Sequence, residues 1–200
     1  MRRYAWLIPL FAELGCGGTG PGATTSTTDD AQMVRQMSAQ LQEAQLRIIA
    51  LGLDEISVPP DVFGTQTDVV GRYAFVVAKD SVGDVRGAYR FSESVDGTTT
   101  HYSGALTCVE VYDFNGLTGN RAKIGGRVDT SDDPSIPVGT FIWWQAIDNS
   151  RLRQADQSTF TGFGDEAANT AFCDSPNPPR FGPFDVIAGA ITVLSSDQAL

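Results

Sequence analysis

The sequence predicts an all-β protein, an antiparallel meander of about eight strands that closes as a barrel or sandwich and follows one long N-terminal helix. Three long alternating segments succeed one another between Thr100 and Asp148, and only glycine, asparagine and aspartate turns separate them. The chain of 200 residues contains 21 glycines, which suit such turns. Consecutive strands with short connections favour an antiparallel meander over a parallel α/β sheet.

The three central segments show the two-residue period of β-strands. Between Arg121 and Thr130, one set of alternate positions holds small or apolar residues and the other holds charged residues, which predicts a half-buried strand. Tyr102 to Tyr112 carries apolar residues on both faces. Val138 to Asp148 is rich in bulky apolar residues, so we expect it to be buried on both faces. Asn115-Gly116 and Gly119-Asn120 bracket a turn between strands.

Further strands are expected on both sides of the central segments. Asp96-Gly97 turns the chain into them, and a long irregular stretch precedes the last strand. These strands lie around Phe75 and at Val85–Glu93, Ser158–Phe163 and Val186–Leu194. About eight strands cannot leave their apolar face uncovered, which predicts a closed barrel or a two-layered sandwich in a β-domain spanning residues 65–200.

An amphipathic helix is predicted over residues 29–52, where apolar residues recur every three or four positions. They form a single seam of Val34, Met37, Leu41, Ala44, Ile48 and Leu51. Asp29 suits the start of the helix and Gly52 suits its C-terminal cap. The seam either docks on the β-domain or joins two copies of the chain as a homo-oligomer through residues 29–51. A linker with Pro59-Pro60 is expected over residues 53–64.

Residues 1–16 have the form of an export signal. A short basic start, Met1-Arg2-Arg3, precedes an apolar stretch that is too short to span a bilayer. Leu14-Gly15-Cys16 resembles the end of a bacterial lipobox and makes Cys16 the expected lipidation site, although Glu13 stands where that motif has an aliphatic residue. The alternatives are an ordinary secretory signal and a segment that is not cleaved. Residues 17–28 are rich in glycine, serine and threonine and predict a flexible tether.

The cysteine count agrees with export. With Cys16 assigned to lipid, Cys108 and Cys173 remain and can pair in an oxidising compartment. Such a crosslink would stabilise the fold by about 4 kcal/mol in the loop-entropy model. The alternative is two separate buried thiols. A single histidine, His101, and the absence of a CxxC motif argue against a zinc site.

Charge and motifs exclude several classes of function. A formal net charge of −10 argues against nucleic-acid binding, which needs clustered lysine and arginine. The chain contains no GxSxG elbow, P-loop or HExxH motif. A glycosidase would need two carboxylates, and nothing in the sequence selects a pair.

Two candidate ligand sites remain. Loop aspartates offer hard oxygen ligands, so Asp148 and Asp156 are the first candidates for a calcium site, and the alternative is that they cap turns. No other cofactor is expected. Trp143 and Trp144 are adjacent on a strand and must point to opposite faces. One belongs in the core, and the other either packs beneath a helix or loop or offers an aromatic platform to a sugar ring.

Several strand and turn stretches together resemble a β-domain of uncharacterised function found in secreted proteins of several bacterial phyla. The stretches are Gly71–Phe75, Val85–Phe91, Gly119–Gly126, Phe141–Asp148 and Ala188–Val193. That family has a GxFxF start, a central AxIxG strand and a DxGxxGxxD loop. Asp148 and Asp156 match the aspartates of the last motif, whereas Ser150 and Arg153 replace its glycines. The resemblance implies a β-domain and brings no activity with it.

These observations predict an exported, lipid-anchored protein of the bacterial cell envelope, located in the periplasm or on the outer surface. We expect a non-enzymatic binding or structural module that contacts the membrane through its anchor and recognises an envelope protein or glycan. The alternative is a secreted, glycosidase-like hydrolase whose carboxylates the sequence does not reveal.

Overall fold

The structure is a computed structural model that describes residues 26–41, 46–112, 121–176, 178 and 182–195. Its helices are α1 (Ser26–Leu41), α2 (Pro60–Phe63) and α3 (Glu166–Asp174). Its strands are β1 (Leu46–Val58), β2 (Val69–Asp80), β3 (Val85–Val95), β4 (Thr98–Val111), β5 (Arg121–Ser131), β6 (Phe141–Ile147), β7 (Gln157–Ser158), β8 (Gly162–Gly164) and β9 (Phe184–Ser195). The predicted antiparallel β architecture is confirmed.

The nine strands belong to one sheet in the order β5-β4-β3-β2-β1-β9-β7-β6-β8. β5 also pairs with β6, so that eight strands, β1 to β7 and β9, form a hydrogen-bonded ring. The predicted turn between β3 and β4 is confirmed at Asp96 (φ 48°) and Gly97 (φ 83°). Positive φ at both central positions matches the twist of the flanking strands. The expected turn over residues 115–120 lies outside the described residues.

Alternate side chains of the long strands point into the ring and form the main core. Trp144 is fully buried there, with its ring centroid 4.7 Å from Phe91, 5.4 Å from Phe75 and 6.1 Å from Tyr89. All three contacts are edge-on, the geometry that aromatic quadrupoles favour. Aromatic side chains therefore occupy the middle of the ring.

The prediction of one long helix over residues 29–52 is wrong from Leu46 onwards, and so is the linker that was expected to follow it. Leu46–Val58 is a strand that pairs with β2 on one side and β9 on the other. Its even-numbered residues from Ala50 to Val58 are buried. The opposite face carries Ile49 and Leu51, which α1 covers. Because both faces carry apolar residues, the segment shows no clean alternation of apolar and polar positions. Its β-branched residues favour a strand, and the strand pairs with a neighbour on each side. The sheet therefore begins at Leu46 rather than near Thr65.

Helix α1 packs on the outer face of β1 and β2. Val34 is 1% exposed, and Met37 packs against a small outer cluster formed by Val76 and Ala78. The docking interpretation is thus confirmed for this shorter helix. Homo-oligomerisation through residues 29–51 stays a prediction. No helix within the described ranges is long and apolar enough to cross a membrane.

The region after β6 is more ordered than the sequence indicates. The single strand expected at Ser158–Phe163 is two short ones, β7 and β8, and the stretch expected to be irregular contains α3. The Asp165 side chain caps α3 by accepting a hydrogen bond from the Ala168 N–H at 2.8 Å. An aspartate at that position satisfies one of the free N–H groups at a helix start. This cap was a readable signal for the helix.

Candidate functional site

A disulfide between Cys108 and Cys173 ties α3 to β4, which confirms the predicted pairing. Their Cα atoms are 6.5 Å apart and 65 residues apart in sequence. Cys173 is buried near the C-terminal end of α3, so the crosslink holds the helix against the outside of the ring. The alternative of two separate buried thiols is therefore wrong.

A cleft opens beside this disulfide, and we call it the α3 cleft. β3 and β4 pair only as far as Ala88 and Ala105, and β4 continues beyond that point to Val111 with a register shift between Leu106 and Cys108. The space between the end of the β2–β3 hairpin, β4, β5 and α3 has a volume of about 750 Å³. Its polar walls include Lys79, Thr107, Glu110, Arg127, Glu166, Asn169, Thr170 and Asp174, and its apolar walls include Val85 and Phe141. This volume is within the range of small-ligand sites.

The charged groups of the α3 cleft are not all paired with each other. The Lys79 ammonium contacts the Glu110 carboxylate across the gap between β2 and β4. By contrast, within the described residues the guanidinium of Arg127 on β5 and the carboxylate of Glu166 on α3 make no hydrogen bond or ion pair. The cleft thus offers a free cationic donor on one wall and a free anionic acceptor on the other.

Lys123 holds the C-terminal end of α3. Its buried ammonium donates to the carbonyl oxygen of Cys173 and, at 2.7 Å, to that of Ser175. Burial lowers the pKa of Lys123, whereas the nearby charges of Glu110 and Asp174 raise it. A cation at this place satisfies helix carbonyls that have no partner within the helix.

Asn169 fixes the middle of α3 on the sheet. It is 4% exposed, and its Nδ2 donates to Thr107 Oγ1 at 3.4 Å. Its Oδ1 lies directly over Gly125 of β5, where an added Cβ would overlap it. Glycine at position 125 is therefore what lets the helix approach the sheet this closely.

The adjacent tryptophans Trp143 and Trp144 point to opposite faces of β6, as expected. Trp144 fills the core, and Trp143 lies outside the ring against Phe172 of α3, with ring centroids 6.0 Å apart. Gly162 and Gly164 of β8 leave room for the Trp143 ring, because a Cβ at either position would crowd it. Trp143 packs beneath a helix and a strand, the first of the two arrangements that the sequence allowed.

Asp148 and Asp156 lie together at the edge of β9, and their oxygens accept hydrogen bonds from the main chain. Asp156 accepts from the N–H groups of Asn149 (2.8 Å) and Ile191 (2.9 Å). Asp148 accepts from the N–H groups of Ser150 (3.0 Å) and Val193 (3.2 Å). β9 pairs with β7 through only two residues, so these carboxylates replace a strand along the rest of that edge. We call this contact the β9 seam.

The calcium site expected at Asp148 and Asp156 stays a prediction. Among the described residues, no group of three or more histidine, cysteine, aspartate or glutamate side chains could hold a metal ion. Both aspartates are already engaged at the β9 seam, the turn-capping role that the sequence left open.

Two other carboxyl groups are buried inside the ring, and the sequence did not single them out. Asp54 is 4% exposed, and neither of its oxygens has a hydrogen-bond partner among the described residues. Burial raises its pKa well above the ordinary value, and the charge of Asp156 raises it further. Burial also raises the pKa of Glu93, and this effect outweighs the hydrogen bonds from Tyr102 and Thr161, which lower that pKa. A charged residue at an inward position of a strand was the available signal.

Neither buried carboxyl group lines the α3 cleft. The cleft residues were also not predicted as a set, although Arg127 belongs to the polar face of a predicted strand. Only the fold brings β4, β5 and the unpredicted α3 together. Cys16, residues 1–16 and most of the tether lie outside the described residues, and α1 begins at Ser26, within the last part of that tether.

Comparison with known proteins adds no relative to this picture, because no family model, curated protein or solved structure matches the chain.

Proposed function

We propose that this protein is an exported, lipid-anchored module of the bacterial cell envelope that binds a ligand in the α3 cleft without catalysing a reaction. The basic start and apolar stretch before Cys16 support export and lipidation. The disulfide supports an oxidising location, because such bonds persist mainly outside the cytosol.

The observation that carries the binding proposal is the way α3 is held. A disulfide, a buried lysine at the helix end and a buried asparagine at its middle attach α3 to β4 and β5. Walls fixed in this manner keep a cleft open before the ligand arrives, which lowers the entropy cost of binding. The unpaired Arg127 and Glu166 then supply ligand contacts.

We further propose that the ring closes as a barrel with a filled interior rather than as a sandwich. The eight-membered cycle of strand pairings and the aromatic cluster around Trp144 support this arrangement. In a filled barrel the ligand site lies on the outside or at an end. The α3 cleft is on the outside.

A glycosidase-like hydrolase is the second candidate, and one observation favours it. Asp54 and Glu93 are a pair of carboxyl groups whose pKa values are both raised, as in enzymes that use a carboxylic acid as proton donor. Their burial away from the α3 cleft favours the module. We expect no hydrolysis of aryl glycosides, and turnover that Glu93→Gln abolishes in a folded protein would establish the enzyme.

The anchor is tested by the intact mass of the protein purified from membranes of its native cell. We expect a chain that begins at Cys16 and carries acyl mass. A mature chain that lacks the acyl mass, or one that retains residues 1–15, contradicts the anchor.

The binding role is tested by crosslinking in intact cells. p-Benzoylphenylalanine in place of Thr170 lies in the α3 cleft, whereas in place of Arg90 it lies on the exposed face of β3. We expect a specific covalent adduct with an envelope component from position 170 only. No adduct, or equal adducts from both positions, contradicts binding in the cleft.

A further inference from the structure

The chemistry of the α3 cleft restricts the charge of its ligand. Two cations, Lys79 and Arg127, and three carboxylates, Glu110, Glu166 and Asp174, line it. An anionic ligand would meet the three carboxylates while Lys79 is already engaged with Glu110. A cationic ligand would meet Arg127 and Lys79. Unpaired like charges at short range in a partly desolvated site oppose binding, so neither sign of charge fits the whole cleft.

An apolar ligand does not fit either. It would cover the Arg127 guanidinium and the Glu166 carboxylate, which have no protein partner in the described part of the chain. Burying such groups without a hydrogen bond costs free energy. The ligand must therefore bring hydrogen-bonding groups of its own to both walls.

A neutral ligand with many hydroxyl groups meets these requirements. Each hydroxyl can donate a hydrogen bond to Glu166 and accept one from Arg127, and the Thr170 hydroxyl can do either. Hydrogen bonds to ionised partners are stronger than those between neutral groups, so a ligand without charge still gains from both walls. Because hydroxyls surround a sugar ring, the fit does not require one fixed distance between a positive and a negative group. Phe141 and Val85 add apolar surface for the C–H faces of the rings.

We propose that the α3 cleft binds a neutral oligosaccharide, held between Arg127 on β5 and Glu166 and Thr170 on α3. This inference rests on the proposed function and names the chemical class of its ligand. A peptide, whose two termini carry opposite charges, is the competing occupant and is distinguished by the experiment.

The experiment titrates the full mature protein by calorimetry with four probes. Cellotriose and triacetylchitotriose are neutral oligosaccharides, trigalacturonic acid is an anionic one, and alanylalanine is a zwitterionic peptide. We expect saturable binding of at least one neutral trisaccharide and no binding of the other two probes. Arg127→Ala and Glu166→Gln should each weaken it about tenfold or more, the loss of one charge-assisted hydrogen bond. Arg90→Ala, an exposed arginine outside the cleft, is the matched control and should leave it unchanged.

The remaining outcomes overturn the ligand class. Binding of only alanylalanine or only trigalacturonic acid, no binding of either neutral trisaccharide, or neutral binding that Arg127→Ala leaves intact would each refute the proposal. If position 170 still gives a specific crosslink in those cases, the proposal of ligand binding in the cleft stands and only the oligosaccharide as its ligand is refuted. Failure of that crosslink rejects the module itself. Unchanged thermal unfolding of each variant shows that the folded protein was tested.

Discussion

Asp54 is a carboxylic acid at a buried position of β1 without a hydrogen-bond partner in the described residues. Its burial and the neighbouring charge of Asp156 raise its pKa well above the ordinary value, which favours the protonated form in the folded state. The residue therefore costs stability at neutral pH, where the unfolded chain ionises freely. Asp54 is therefore the residue with which we test how pH acts on the stability of this protein.

We expect Asp54→Asn to reduce the pH dependence of stability. The unfolded-state pKa is about 4, and the folded-state pKa is raised, so the free energy of unfolding of the unaltered protein falls as the pH rises above about 4. The amide does not titrate, so the fall should be shallower, with the remainder due to Glu93. Urea unfolding across this pH range measures it, and Asp84→Asn, in an exposed turn, is the control. Parallel curves for the unaltered protein and Asp54→Asn would contradict the assignment.

Asp156 joins the 149–156 loop to β9 through two main-chain hydrogen bonds. We expect Asp156→Ala to lower the free energy of unfolding by about 2 kcal/mol or more, because two N–H groups lose an ionised acceptor. Removing its charge also relieves Asp54, so the loss is smaller than two such bonds imply. Denaturant unfolding measures the loss, and hydrogen exchange should accelerate at the Ile191 amide. If calcium instead raises the melting temperature and this substitution abolishes the effect, the pair is a metal site.

At the scale of elements, α3 depends on the absence of a side chain at Gly125. A Cβ there would overlap Asn169 Oδ1 and lie 3.0 Å from Cys108 Sγ. We expect Gly125→Ala to cost about 1–3 kcal/mol through overpacking and, because it shifts the helix, to weaken the ligand binding that we propose for the α3 cleft. In an Asn169→Ala background the same change should cost less, and a double-mutant cycle by urea unfolding measures the difference. Additive effects would show that the two residues do not press on each other.

The disulfide is the second link between α3 and the ring. Replacing both Cys108 and Cys173 by serine should lower the free energy of unfolding by about 4 kcal/mol, because the unfolded chain regains the entropy of an open loop. A thiol reductant should destabilise the unaltered protein to a similar extent and leave the double variant unchanged. Two free thiols in protein purified without a reductant would contradict the bond.

At the scale of the whole molecule, α1 and the ring share an interface on β1 and β2. Val34 is almost fully buried in this interface, so Val34→Ala should cost about 2 kcal/mol. If the helix docks on its own chain, the melting temperature does not depend on protein concentration. A melting temperature that rises with concentration would show that α1 joins two copies instead. Gln36→Ala, exposed on α1, is the control.

Much of the strand content could be predicted because a strand leaves a local trace. The alternation in residues 121–130, the bulky run that became β6 and the Asp96-Gly97 turn are all readable over a few neighbouring positions. The pairing of Cys108 with Cys173 followed from counting, since only two cysteines remained once Cys16 was assigned to the expected lipid anchor. The orientation of Trp143 and Trp144 followed from the geometry of any strand.

The failures occurred where a local pattern allows two structures. The segment 46–58 carries apolar residues on both faces, and two of them, Ile48 and Leu51, are three positions apart. Over so short a stretch, the pattern of a helix and the pattern of a strand covered on both faces look alike. Only its pairing with β2 and β9, residues distant in sequence, decides for the strand. Because β1 was not predicted, the predicted sheet began about one strand too late in the chain.

The sequence by itself determined that this protein is rich in antiparallel strands, which cysteines can pair and that two adjacent tryptophans point to opposite faces, because each of these depends on neighbouring residues or on simple counting. Tertiary structure alone decided the strand order, the carboxylates at the β9 seam and the α3 cleft. Arg127 and Glu166 are 39 positions apart, and the free energy that places them on one cleft comes from packing a helix over Gly125 and closing a ring of eight strands. Contacts of that range leave no periodic mark on the chain.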